Sequence, residues 1–374
     1  MIAFARNDHS IVGRWWWTVD RWSLATLILL IGFGAILTMA ASPAIADRMG
    51  VDSFYFVRRQ VMFLLPAVAL MFGASLLSPT SVRRLAVVGL ALTMVLMAVT
   101  LAVGVEVNGA RRWLRFADFS LQISEFVKPF FAITAAWLFA SQRADPSFPA
   151  HAISIAVCAT IIALLMLQPD FSMALLVAAV WIAQYFLAGL HLGWMAALGA
   201  AGATFSAAAY AFVPHISDRI DRFLDPASGD SFQVDTALEA FMKGGLMGRG
   251  PGEGVVKEVL PDAHSDFVFA VAGEEFGLLL CLAIIVLFGV VVLRGFGRVM
   301  RGDNLFVLLA VGGLLIQFGL QALLHMGVTL GLVPATGMTL PFVSYGGSSI
   351  IAIALGMGMM LALTRRPRDQ GGAP

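Results

Sequence analysis

Long apolar runs separated by short polar breaks dominate the chain. Runs near 22–42, 60–77, 85–104, 124–141, 150–167, 171–188, 190–213, 266–293, 305–327 and 345–364 stand out. Each reaches the roughly 18 residues that a helix needs to cross a bilayer. The pattern predicts an all-α polytopic integral membrane protein of about ten transmembrane helices. An even number of crossings returns both termini to one side. Two polar stretches break the rhythm. One is GVEVNGARRWLRFADFSLQIS at 104–124, and the other is a large external loop at 214–265, between helices 7 and 8. The loop is too long for a plain connector, which points to a functional role.

Composition agrees. The chain is 59% hydrophobic and only 13% charged, far from a soluble globular balance. A formal net charge of +1 offers no concentrated basic face, so no nucleic-acid role is expected. Cys158 and Cys281 both lie inside apolar runs and read as buried thiols. Trp15, Trp16, Trp17 and Trp22, beside Arg14 and Arg21, suit an interfacial belt. Lysines and arginines divide almost evenly between the two sides, so the charge rule alone leaves the orientation open. The shortest connections, with Arg83 and Arg84, Arg294 to Arg301 and the RRPR tail, favour cytoplasmic termini. The remaining arginines on the opposite face suit an anionic substrate.

Charge inside so apolar a chain marks candidate chemistry. Asp266 stands where the loop becomes the eighth span. An N-cap is the plainer reading on spacing alone. However, Ala270, Gly273 and Gly277 follow at helical spacing, a small-residue stripe that admits a close neighbour. A carboxylate at such a dry margin can serve as a general base. His264, Asp266 and Glu274 match no strong zinc spacing, so no metal site and no protein-bound cofactor are expected. A divalent cation, Mg or Mn, arriving with a pyrophosphate substrate is left open. Glu125 and Lys128 share a helix face at i, i+3 below Arg111, Arg112 and Trp113. Those residue types could grip phosphate and stack on a sugar, although a tryptophan there is as readily a headgroup anchor. GLVPATGMTLPFVSYGGSS at 331–349 cannot be continuous helix. Irregular backbone at membrane depth must be buried or line a wet cavity. Ser344, Gly346 and Gly347 could offer donors to an anion there, or make a simple re-entrant turn.

Several motifs in order carry a resemblance. They are NGARRWL at 108–114, SEFVK at 124–128, QPD at 168–170, RFLDP at 222–226, GGLMGRGPGEGVVKEVLPDAHSDFVFAVAGEE at 244–275, and the 331–349 segment. The chain resembles the SEDS proteins, polytopic peptidoglycan glycosyltransferases of bacteria, and most of all their cell-division branch, with the elongation branch second. Two departures are Ile123, where the family commonly has proline, and Phe171-Ser172-Met173 after QPD.

The resemblance implies ten transmembrane helices in a domain at 22–364, flanked by a cytoplasmic segment at 1–21 and a cytoplasmic tail at 365–374. It places the protein in the bacterial cytoplasmic (inner) membrane at the division septum, with the 214–265 loop periplasmic. It implies polymerisation of lipid II into β-1,4-linked glycan by inversion, with release of undecaprenyl pyrophosphate. Asp266 matches the family's essential aspartate, and Trp113, Arg112, Lys128 and Glu258 match positions around the same cavity. Arg111 joins Arg112 and Lys128 as a candidate for pyrophosphate, followed by Arg249 and Lys257. His264 and Glu125 complete the substrate-binding set. The partners implied are a class B penicillin-binding protein and other divisome membrane proteins. The alternative is a lipid II flippase, which would need charge spread along the membrane path and would form no glycosidic bond. A structural scaffold would need no charge at membrane depth.

Overall fold

The computed structural model describes residues 10–107, 109–116, 119–189, 192–225 and 232–365. Residues 1–9 of the N-terminal segment, Asn108, Pro226 of RFLDP and the tail from Arg366 lie outside the described residues. A short helix, α1 (Ile11–Thr18), precedes three long ones, α2 (Arg21–Met49), α3 (Tyr55–Ser75) and α4 (Pro79–Val103). Next come β1 (Val105–Val107), β2 (Ala110–Phe116) and β3 (Phe119–Gln122), then α5 (Ser124–Ala144), α6 (Ala150–Leu167), α7 (Phe171–Leu187) and α8 (Leu192–Phe212). The 214–265 loop carries α9 (Pro214–Leu224) and α10 (Phe232–Gly244). The chain closes with α11 (Val268–Val299), α12 (Leu305–Thr329) and α13 (Gly347–Leu363).

Every apolar run of the sequence therefore falls on a helix. Among the described residues six helices are long and apolar enough to cross a membrane, or seven if the α8–α9 pair, bent by 95°, makes one span. Phe171–Leu187 and Gly347–Leu363 are shorter apolar helices, and α5 carries Glu125, Lys128 and Arg143. Starts are signposted locally. The Ser78 hydroxyl accepts from the Ser81 amide ahead of Pro79, and Asn304 Oδ1 accepts from the Val307 amide.

The 104–124 stretch adds a small antiparallel sheet, ordered β1-β2-β3, to the helical expectation. Trp113 sits opposite Val105 on one side and Gln122 on the other. Asn-Gly at 108–109 amid alternating apolar positions carries this hairpin signal in the sequence.

Helices α5, α12 and α13 form the buried centre, with α13 packed on α3 and α5, and α12 on α5, α7 and α11. Large apolar side chains on α2, α3, α4 and the far part of α11 stay exposed, as a bilayer-facing surface requires. Helix α11 is really two pieces. Gly277 has φ 77°, and the loop fills the break. Leu278 N–H donates to the Gly245 carbonyl at 2.9 Å, while Arg249 and Gly250 N–H groups donate to the Glu274 and Glu275 carbonyls at 3.0 Å each. The small-residue stripe admits α10. A Cβ on Gly273 would run into the Phe241 ring, and one on Gly244 into the Gly273 backbone.

Candidate active site

Asp266 ends a tight turn in which its own N–H donates to the Asp262 carbonyl at 3.0 Å. The helix cap proper falls on Phe267, and no side chain caps α11. The plain N-cap reading is thereby corrected: the Asp266 carboxylate takes up no helix N–H. Burial and the Asp262 charge push its pKa from 3.8 up to about 6, against the pull of Arg219. A Cβ on Gly337 would sit 3.9 Å from Asp266 Oδ2, so the 331–346 segment walls one side of the carboxylate.

That segment also fastens the turn. Ser344 Oγ accepts from the Leu340 amide at 2.8 Å and donates to the Ser265 carbonyl at 2.6 Å. The Tyr345 N–H donates to the His264 carbonyl at 2.9 Å. The His264 ring lies between Phe56 and Tyr345, with centroids at 4.5 and 5.1 Å. Burial drives its pKa down to about 4, so the ring is neutral at pH 7. Gly347 lets α13 approach α3, since a Cβ there would lie 2.7 Å from the Phe63 ring. Gly346 precedes α13 in extended backbone, φ 173°. Ser344 and Gly347 thus serve packing and hydrogen bonding within the protein.

A second group is centred on α5. Lys128 Nζ lies 2.8 Å from Glu125 Oε2 and donates to Gln321 Oε1 at 2.9 Å. Arg112 Nε donates to the Gln168 carbonyl at 2.8 Å, and its other nitrogens reach the Pro169 carbonyl and Asp170, the latter at 3.6 Å. The sheet thereby grips the QPD turn, whose Asp170 caps α7 by accepting from the Met173 amide. Arg111 is exposed and pairs with Glu106 at 3.3 Å; Trp113 is half-buried beside them. Arg219 on α9 interacts electrostatically with Arg112, Asp170 and Asp266, and Asp170 with Glu125 and Lys128. One continuous set of charges therefore runs from Lys128 to Asp266.

Sequence reasoning missed Arg219, Asp170 and Gln321 as site residues. Arg219 was one of several loop arginines, and QPD was noticed only as a motif. Gln321 in an apolar helix was the available signal, because buried amides need partners.

Lys257 and Glu258 lie apart from both groups. The Lys257 ammonium is taken up by Glu275 and by the Ala40 carbonyl, the latter at 3.0 Å. Glu274, fully buried, accepts the N–H groups of Val255, Val256 and Lys257 at 2.8, 2.7 and 3.0 Å. Glu258 borders a cleft of about 620 Å³ between α2 and this loop, with Asp47, Arg48 and Phe276 also on its walls. That cleft contains neither Asp266 nor Lys128. Arg249 donates Nε to the Lys243 carbonyl at 3.4 Å. No group of three His, Cys, Asp or Glu side chains among the described residues could hold a metal ion.

A family profile described as "Cell cycle protein", covering FtsW, RodA and SpoVE, matches residues 21–369. The chain belongs to this family. Among its relatives is the "Probable peptidoglycan glycosyltransferase FtsW" of Caulobacter vibrioides (strain NA1000 / CB15N), 40% identical over 99% of this chain and 95% of the relative. The protein of the same description from Halorhodospira halophila (strain DSM 244 / SL1) is 36% identical over 92% and 90%. Solved structures agree on the fold. A chain of a peptidoglycan synthase complex, described for its coordination of polymerization and crosslinking, superposes with a TM-score of 0.76 at 26% identity. The match covers 92% of this chain and 97% of that one. A variant of the rod shape determining protein RodA of Thermus thermophilus gives 0.67 at 25% identity, over 92% and 97%. The family is thus a multi-pass membrane one, as the helices here require.

Proposed function

We propose that this FtsW/RodA-family chain is a peptidoglycan glycosyltransferase that polymerises lipid II in septal wall synthesis. The observation that carries the reading is Asp266: capping no helix, largely buried, with its pKa raised to about 6, and interacting with Arg219, which in turn lies in the field of Arg112 and Asp170. A base poised near the working pH beside cations suits proton abstraction coupled to the departure of an anion. Asp266 takes the proton from the 4-hydroxyl of one sugar. The freed oxygen bonds to the anomeric carbon of the other lipid II from the face opposite its α-linked phosphate. The C1–O bond to phosphate breaks, and undecaprenyl pyrophosphate leaves with the electron pair, giving a β-1,4 linkage. Lys128 and Arg112 would meet the pyrophosphate charge, with Arg219 beside them and Arg111 at the rim. Trp113 would stack on a sugar face. A divalent ion, where one takes part, would come with the pyrophosphate.

On this reading 22–364 is the membrane domain, with 1–21 and 365–374 cytoplasmic and the 214–265 loop periplasmic. The similar chain in the solved peptidoglycan synthase complex, where polymerization and crosslinking are coordinated, supports a partner that crosslinks the product, here a class B penicillin-binding protein within the divisome. The test supplies labelled lipid II to purified protein, alone and with that partner, beside Asp266→Ala. Glycan ladders from wild type only are expected. Headgroup translocation in vesicles without any glycan would point to a flippase instead.

A further inference from the structure

Gln321 lies in the middle of α12, 1% exposed, and uses both ends of its amide. Its Oε1 accepts from Lys128 Nζ at 2.9 Å, and its Nε2 donates to the Thr339 carbonyl at 2.9 Å. One turn further on, His325 Nδ1 lies 2.8 Å from the Met338 carbonyl. Two successive carbonyls of the α12–α13 segment are therefore held to one face of α12. Two residues before Thr339 comes Gly337, at φ 67°, where a Cβ would lie 3.9 Å from Asp266 Oδ2. The Thr339 hydroxyl lies 2.7 Å from Ser349 Oγ and joins the same network to α13.

We propose that Gln321 is a positioning residue for glycosyl transfer, one that aims the Lys128 ammonium and sets the wall beside Asp266 with a single amide. The inference rests on the glycosyltransferase reading. Among the described residues the Lys128 ammonium is ion-paired with Glu125 and donates a hydrogen bond to Gln321, so the amide fixes the direction of one of its three N–H groups. Without Gln321 the ammonium keeps Glu125 alone and is free to swing on its four-carbon stem. A Lys or a Met at 321 could not replace the amide, because the site requires an acceptor and a donor back to back. The polar side chain is buried and fully paired, so its conformation is strongly specified. Its carbonyl partner is backbone, which ties the geometry to the path of the 331–346 segment.

The test compares wild type, Gln321→Met, Lys128→Met and the double variant for initial rates on labelled lipid II. Melting temperatures and retention of undecaprenyl pyrophosphate are measured alongside. Positioning of a leaving-group cation acts in the transition state, so Gln321→Met should lower kcat about tenfold or more with KM within about twofold. Retention of undecaprenyl pyrophosphate should weaken as well. The double variant should be no slower than Lys128→Met, because the amide works through the ammonium. Unchanged kcat, or losses that multiply in the double variant, would overturn the proposal. If Gln321→Met does not fold, Gln321→Asn enters the same cycle, since its amide is one methylene too short to reach both Lys128 and the Thr339 carbonyl; the same outcomes decide. Wild-type protein that makes no glycan, alone or with its partner, would overturn the glycosyltransferase reading and this proposal with it, whereas active wild type beside an equally active Gln321→Met overturns the proposal alone.

Discussion

The hydroxyl of Ser344 donates to the carbonyl of Ser265 at 2.6 Å, tying the α12–α13 segment to the residue directly before Asp266. The same oxygen accepts from the Leu340 amide, so one buried hydroxyl satisfies two backbone groups. Ser344→Ala orphans both, at about 1–3 kcal/mol for each buried group left unpaired. We expect a lower melting temperature and at least about a tenfold fall in polymerisation, since displacing a base by an ångström is enough for such a loss. Ser344→Ala with wild-type activity would detach this clamp from the chemistry.

Asp266 predicts a pH profile. With a pKa near 6, the base form gains as pH rises from 5 to 7, and the rate should rise with it and then level off. Asp266→Asn should lose about a thousandfold or more. The stability sign runs the other way. The folded pKa lies above the unfolded 3.8, so this group's contribution is greatest below pH 4 and is lost as pH rises through 6. Asp266→Asn should therefore melt no lower than wild type at pH 7.5. Thermal scans at pH 5 and 7.5, paired with rates, check both halves.

Glu274 holds three consecutive loop amides with one carboxylate. Glu274→Gln replaces an acceptor oxygen with a donor that faces those amides, and each orphaned N–H costs about 1–3 kcal/mol. Limited proteolysis should cut the variant within 245–258 faster than wild type. Equal cutting rates would show that the loop is held by other contacts.

Gly277 sits at φ 77°, and a Cβ there would meet the backbone of Gly248 and Leu246. Gly277→Ala should destabilise by about 1–3 kcal/mol from backbone strain alone, and by more from the clash. A straightened α11 would pull its first turns away from the loop. Detergent-solubilised protein should show the loss as a lower melting temperature and reduced recovery.

Lys257→Met would leave Glu275 buried without its cation, a change that costs about 3–5 kcal/mol in comparable buried pairs. Its effect should appear first in stability. A specific loss of pyrophosphate retention in stably folded Lys257→Met would return Lys257 to the substrate.

What the sequence determined by itself was set by local pattern. Apolar length placed the helices, because a bilayer-crossing segment must satisfy its own backbone and present grease to lipid. Asp266 was legible as the acid at the mouth of α11, and the irregular 331–349 stretch was legible from its prolines and glycines. Which charges meet was decided only by the tertiary structure. Lys128 and Lys257 read alike along the chain, yet one is held by Gln321, 193 positions away, and the other is closed onto Glu275. Likewise Arg219 comes within electrostatic reach of Asp266 only through the tertiary path of the chain, which turns by 95° between α8 and α9. The physical reason is that the strength of a charge or an amide in a dry interior depends on its partners. Those partners are chosen by how distant helices pack, which no local period encodes.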